Sequence, residues 1–201
     1  MGNVRLYGST SGYTELAPPA VAPDGVLSLP SGTGTIAKTT DQGLVHINTT
    51  TFTAVSSVSL NNVFTSDYEN YRIVLSRNSS AGDYLSMRLR SSGVDTTSAD
   101  YDYIRVFVYG SGTVAGFRGL SDTSWSLGYY PTVRIGNCSA DIYGPNLAAS
   151  SQYAATGGSG QELTTLMGEL DLATSYDGFT LIPSAGNMTG NISVYGYKNG
   201  A

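Results

Sequence analysis

Charge is scarce in this chain. Of 201 residues only ten are Lys or Arg and fifteen Asp or Glu, 12% in all, about half of what a soluble domain usually carries. Solubility must therefore rest on hydroxyls, amides and backbone. The ten basic residues are scattered, and the net charge is −5. That excludes the phosphate-neutralising footprint on which nucleic-acid binding depends. The single cysteine, Cys138, excludes an intrachain disulfide and reads as a small half-buried strand residue. The single histidine, His46, lies far from it in a Thr-rich stretch, so neither a zinc cluster nor a thiol–imidazole pair is available. No apolar run approaches the roughly 18 residues of a membrane-spanning helix. The opening MGNVRLYG lacks a basic segment followed by an apolar one, so release by lysis is expected rather than secretion.

Catalytic motifs are missing as well. There is no G-x-S-x-G elbow, no P-loop and no dinucleotide fingerprint. Two carboxylate pairs at i, i+2, Asp100/Asp102 and Glu169/Asp171, share a strand face and are the places to look for a glycosidase dyad or a calcium site. Calcium needs more oxygen ligands than these supply. Catalytic, cofactor and metal residues are therefore expected to be none. The sequons starting at Asn48, Asn78, Asn137, Asn187 and Asn191 are what chance gives in so hydroxyl-rich a chain.

Helical periodicity is absent too. The best candidate, NLAASSQYAAT (146–156), fits a loop or a single turn as well as a helix. Period-two alternation recurs instead. Tyr71, Ile73 and Leu75 share one face, as do Leu85, Met87 and Leu89. Further strands fall at FTAVSSVSL, YDYIRVFVYG, PTVRIGN, LTTLMGEL, YDGFTLI and GNISVYGYK, with turns at RNSSAGD, SSGVDTTSAD, YGSGT, ATGGSGQ and SAGNMTG. Eight to ten such strands without crossover helices predict an all-β fold, an antiparallel β-sandwich of jelly-roll type over residues 52–201.

Residues 1–51 read differently. Four of the seven prolines lie between Pro18 and Pro30. Short extended pieces are expected at 4–7, 25–30, 35–38 and 44–47. Proline suits edges and extended segments rather than a central strand. A flexible linker would not commit Leu16, Val21, Val26, Leu27 and Leu29 to solvent. The segment is expected to be an extended Pro/Gly-rich attachment arm that docks through those five residues.

The aromatic balance is unusual, with 15 Tyr against five Phe and one Trp. In YDYIRVFVY the expectation is that Ile104, Val106 and Val108 face the core. The opposite row, Tyr101, Tyr103, Arg105, Phe107 and Tyr109, then becomes a candidate glycan or subunit contact. SDTSWSLGYYP adds Trp125, Tyr129 and Tyr130 as an expected contact loop.

Several phrases resemble virion proteins of tailed bacteriophages, of the tail-fibre, minor-tail or head-associated kind. They are the N-terminal G-S-T-S-G (Gly8 to Gly12), the L-x-x-P-A of Leu16 to Ala20 with a second proline at Pro19, and the L-x-L-P of Leu27 to Pro30. VFTSDYENYRIVLS (63–76), MRLRSSGVD (87–95) and ISVYGYK (192–198) resemble the same group. The resemblance implies a non-enzymatic, arm-anchored virion component, a homotrimer, with a sandwich pointing toward host-surface glycans. It is expected to touch other virion proteins through the arm, and to be assembled in the host cytoplasm. The alternative is a capsid decoration (cement) protein at capsomer junctions. A polysaccharide depolymerase using the carboxylate pairs is a third reading.

Overall fold

The computed structural model describes residues 4–7, 10–16, 43–130, 135–159 and 162–198. Every regular element among them is a β-strand, and every pairing is antiparallel. The chain divides into two units, Met1–Ala37 and Lys38–Ala201. In the first, β1 (Val4–Tyr7) pairs with β2 (Tyr13–Leu16). Gly12, at φ 79°, occupies the left-handed region that a side chain would resist. The Tyr7 and Tyr13 rings lie 5.9 Å apart, and the Arg5 guanidinium sits 4.5 Å over Tyr13.

The second unit is a β-sandwich, as the alternation predicts. Its strands are β3 (Leu44–Val55), β4 (Val58–Leu60), β5 (Asn70–Ser79), β6 (Asp83–Ser91), β7 (Val94–Asp95), β8 (Tyr101–Tyr109) and β9 (Val114–Asp122). They continue with β10 (Trp125–Tyr130), β11 (Ile135–Tyr143), β12 (Ser151–Ser159), β13 (Glu162–Leu170), β14 (Gly178–Pro183) and β15 (Met188–Tyr197). The larger sheet runs β3-β15-β5-β11-β12-β13-β8-β9, and the smaller runs β10-β6-β14-β4, with β7 paired to β6. Eight of these strands pair from the outside inward: β3 with β15, β4 with β14, β5 with β11 and β6 with β10. The hairpins β8–β9 and β12–β13 interrupt that series and extend the larger sheet beyond β11.

The core lies between the sheets. Leu85, Met87 and Leu89 of β6 and Phe179 and Leu181 of β14 are fully enclosed. They belong to one cluster with Tyr71, Ile73 and Leu75 of β5 and Ile192 and Val194 of β15. Each such side chain contributes about 1.5–3 kcal/mol by leaving water. Phe64 reaches in from the β4–β5 loop, 4.7 Å from Tyr71 and 5.8 Å from Phe179. Cys138 is buried on β11, as expected of a small strand residue.

The stretch 146–156 holds no helix, and β12 starts within it at Ser151. Two expectations need correction. β3 begins at Leu44 and pairs with β15 along its length, so residues 44–51 belong to the sandwich. The glycines of ATGGSGQ are not a turn signal throughout: Gly157 and Gly158 continue β12 opposite Thr164 and Leu163. The expected pieces at 25–30 and 35–38 lie outside the described residues.

Candidate functional site

β8 alternates as the sequence says, but it faces the other way. Tyr101, Tyr103, Arg105 and Phe107 point inward, whereas Ile104, Val106 and Val108 are exposed on the outer face. Hydrophobicity alone would choose the aliphatic row for the core. Reach and hydrogen bonding reverse the choice. Packed sheets stand about 10 Å apart, and rings fill that gap better than valines do. The buried polar tips also find partners. The Tyr101 hydroxyl accepts from Leu89 N at 3.0 Å and donates to Thr96 O at 3.2 Å. The Trp125 indole donates to Glu169 O at 3.1 Å, and the Tyr153 hydroxyl to Ser126 O at 2.9 Å. Burial raises both the Tyr101 and the Tyr153 hydroxyls well above their ordinary pKa.

The expected aromatic contact surface is corrected accordingly. Tyr101 and Trp125 are core residues: the Trp125 ring stacks 4.5 Å from Tyr153 and stands edge-on to Tyr101 at 5.4 Å. SDTSWSLGYYP is not a free loop, since residues 125–130 form β10. The side chains of Tyr129 and Tyr130 lie outside the described part of the structure. So does the side chain of Leu16, on β2, and the whole of Val21, Val26, Leu27 and Leu29. Tyr109 is partly exposed at the end of β8, its ring 5.7 Å from Phe107.

Around Arg105 the inward row becomes a site. Its side chain is 95% enclosed, at 5% exposure. The guanidinium carbon lies 4.6 Å from the Phe107 ring centre and 5.1 Å from those of Tyr84 and Phe117. These three rings supply cation–π attraction, which strengthens where water is excluded. Direct polar partners are few. One terminal nitrogen donates to Ser126 Oγ at 3.2 Å, and the buried Nε–H has no hydrogen-bond partner among the described residues. No carboxylate among the described residues forms an ion pair with it.

The guanidinium looks into a cleft of about 310 Å³. Tyr84 and Phe117 form apolar walls, and Ser86, Ser124 and Ser126 offer hydroxyls. Asp122 stands at the same cleft, its Oδ2 accepting from the Tyr103 hydroxyl at 3.4 Å and its Oδ1 from Thr123 N at 2.7 Å. Burial, and then the Asp122 charge, push the Tyr103 hydroxyl above its ordinary pKa. Gly119 makes the arrangement possible: a Cβ there would lie 2.4 Å from the Tyr103 ring. A buried cation, a carboxylate acceptor, several hydroxyls and two aromatic walls can together hold a ligand that carries a carboxylate and hydroxyl groups.

Tyr84, Phe117 and Asp122 escape the sequence reading. Tyr84 lies within β6, a strand already recognised, but its neighbour across the cleft does not stand out. β9, VAGFRGLSD, breaks its alternation with Gly116 and Gly119 and lacks a clear strand pattern.

The other candidates stay apart. His46 is exposed and hydrogen-bonds Thr49 Oγ1 at 2.8 Å. Register puts Asp102 directly opposite Glu169 on the outer sheet face, one member from each carboxylate pair. Both are exposed there, and hydrolysis by a carboxylate pair calls for a more enclosed setting. No group of three or more metal-ligating side chains occurs among the described residues. None of the known family models matches the chain, and no curated protein does either.

Proposed function

We propose that the protein is a non-enzymatic phage virion component whose sandwich binds an acidic glycan in the Arg105 cleft. One observation carries the binding: a 95% enclosed guanidinium faces a cleft and forms no ion pair with a carboxylate among the described residues. A buried charge without a counter-ion is costly, and a ligand carboxylate would supply one. Nε–H is shut off from the cleft, so the terminal N–H groups left over from Ser126 are what a ligand carboxylate would accept from. Tyr84 and Phe117 offer faces for the C–H side of a sugar ring, and Asp122 and the serines receive or donate to its hydroxyls.

The virion assignment rests on the phrases in residues 8–30, 63–76, 87–95 and 192–198. The outside-in strand pairing supports a jelly-roll winding, a fold frequent in capsid and lectin domains. In this reading the N-terminal segment is the attachment arm, and the particle is assembled in the host cytoplasm and released by lysis. A decoration role at capsomer junctions is favoured by a different feature, the exposed aliphatic row Ile104, Val106 and Val108.

A glycan array probed with the purified full-length protein tests the binding. Uronate- or sialate-bearing glycans are expected to bind and their neutral counterparts not to. Arg105→Met, which keeps the apolar stem, should weaken binding by about tenfold or more. Equal capture of neutral and acidic glycans, or unchanged binding by Arg105→Met, would refute the assignment.

A further inference from the structure

The outer face of the larger sheet carries a continuous apolar patch. Ile104, Val106 and Val108 of β8 stand beside Met167 and Leu163 of β13, and Val108 also faces Val114 of β9. All six are exposed, from 39% at Val108 to 64% at Val114. At those exposures they present on the order of 500 Å² of apolar surface, when monomers seldom show larger patches and a stable interface covers about 800 Å² per partner. With its polar border the patch has the extent of one half of a subunit interface.

The border carries the information about what covers it. Asp102 and Glu169 stand directly opposite each other at one end, and like charges so placed repel. Arg118 lies on the other side of β8, opposite Ile104. These three, with Gln152 and Met167, line a shallow depression of about 450 Å³. Asp102 Oδ1 accepts from Ser121 N at 2.7 Å. Neither Arg118 nor Glu169 forms an ion pair among the described residues. A cation is thus displayed on one flank of the patch and an uncompensated carboxylate on the other.

A two-fold axis lying along β8 exchanges those flanks. In two sheets packed face to face about it, β9 of one copy lies over β13 of the other. Arg118 then faces Met167, one cross-strand pair from Glu169, a step of about 7 Å along the strand. That is within an arginine's reach, and the symmetry makes the contact twice. The aliphatic rows of the two β8 strands meet at the centre.

We propose that this face is covered by a second copy of the same chain, in a two-fold pair closed by Ile104, Val106 and Met167 and keyed by Arg118 with the partner's Glu169. The inference is independent of the glycan assignment, because the Arg105 cleft opens on the inner face of the sheet.

The test is the mass of the full-length protein in solution, by light scattering and sedimentation over a concentration series. Twice the chain mass is expected. Val106→Asp should give a monomer with an unchanged circular dichroism spectrum and a melting temperature that no longer depends on concentration. Arg118→Glu and Glu169→Arg should each raise the dissociation constant by about tenfold or more, and the double variant should recover most of the loss. A monomer at all concentrations, a trimer, a dimer indifferent to Val106→Asp, or a double variant no better than the singles would each overturn the pairing.

Discussion

At the scale of single residues, the buried charges among the described residues divide into the Arg77–Asp83 pair and Arg105, which forms no ion pair there. Arg77 of β5 and Asp83 of β6 join the two sheets beside the β5–β6 connection as a fully buried bidentate pair, at 2.8 and 2.6 Å, with Ser79 Oγ donating to the same carboxylate at 3.3 Å. Breaking such a pair leaves one charge stranded. Asp83→Ala should cost about 3–5 kcal/mol in chemical denaturation, whereas an Arg77→Met/Asp83→Leu double variant should cost clearly less. If the double variant is the worse of the two, the cost lies in lost packing and the electrostatic account fails.

Asp141 gives a pH signature at the same scale. Burial works to raise its carboxyl, but hydrogen bonds from Arg72, at 2.9 and 2.7 Å, and from the Tyr197 hydroxyl, at 2.7 Å, hold it below the ordinary value of 3.8. A carboxyl depressed in the folded state stabilises above its unfolded pKa and loses that contribution as pH falls through the folded one. Wild type should therefore exceed Asp141→Asn in stability at neutral pH, and the difference should shrink below pH 3.8. Arg72 is 40% exposed, so the gain is at most about 1 kcal/mol. The Tyr197 hydroxyl, pushed up to about 12 by burial and then by Asp141, works at the other end. Its contribution is complete below pH 10 and is lost as pH rises toward 12. Denaturation midpoints of the two proteins across pH check both limbs, and a difference that persists undiminished in acid contradicts the first.

At the scale of elements, strands with one aliphatic and one polar face were legible from their residues. β5 and β6 bury the rows Tyr71/Ile73/Leu75 and Leu85/Met87/Leu89 that alternation selects. β8 has two apolar rows, so alternation locates the strand but leaves its side undecided. The choice falls to ring size and to hydrogen bonds from Leu89 and Thr96, which are distant in sequence. β9 and β12 interrupt their larger side chains with small residues such as Gly116, Gly119, Gly157 and Gly158, and their pattern comes from the partners they fit. Gly168 on β13 shows the same limit: its missing Cβ would lie 2.2 Å from Asp102 O, and nothing local announces that approach. The candidate site was half legible. Arg105, Tyr103 and Phe107 share one strand, whereas Tyr84, Phe117 and Asp122 join them only through the tertiary fold.

The start of β3 sets the limit of a clean truncation. Removing residues 1–37 leaves every sandwich strand intact, whereas removal of 1–50 takes Leu44 through Thr50 from the edge of the larger sheet. The shorter deletion should melt as a cooperative unit close to the full-length temperature, and the longer one at a clearly lower temperature. In the virion reading, the 1–37 deletion also fails to enter particles. Normal incorporation of that variant would remove the arm from its anchoring role.

At the scale of the whole molecule, the two faces of one sheet carry separate tasks in this account. The inner face, where β8 and β9 line the cleft with β6 and β10, holds a cation for a ligand. The outer face holds the apolar row for another subunit. Low overall charge suits both, because neither surface is masked by competing ion pairs. A protein displayed in many copies gains from such a division, since weak single-site glycan contacts add through multivalency.

In the glycan-binding proposal, the Arg105 guanidinium receives the carboxylate of a sugar acid. The Nε–Hε resonance of Arg105, assigned by its loss in Arg105→Lys, belongs to the same guanidinium and reports that contact. On titration with glucuronate-terminated oligosaccharide it should shift and saturate, and the glucose-terminated equivalent should leave it in place. An Arg105 resonance that both sugars leave unmoved, under conditions where the acidic glycan is bound, would contradict the account.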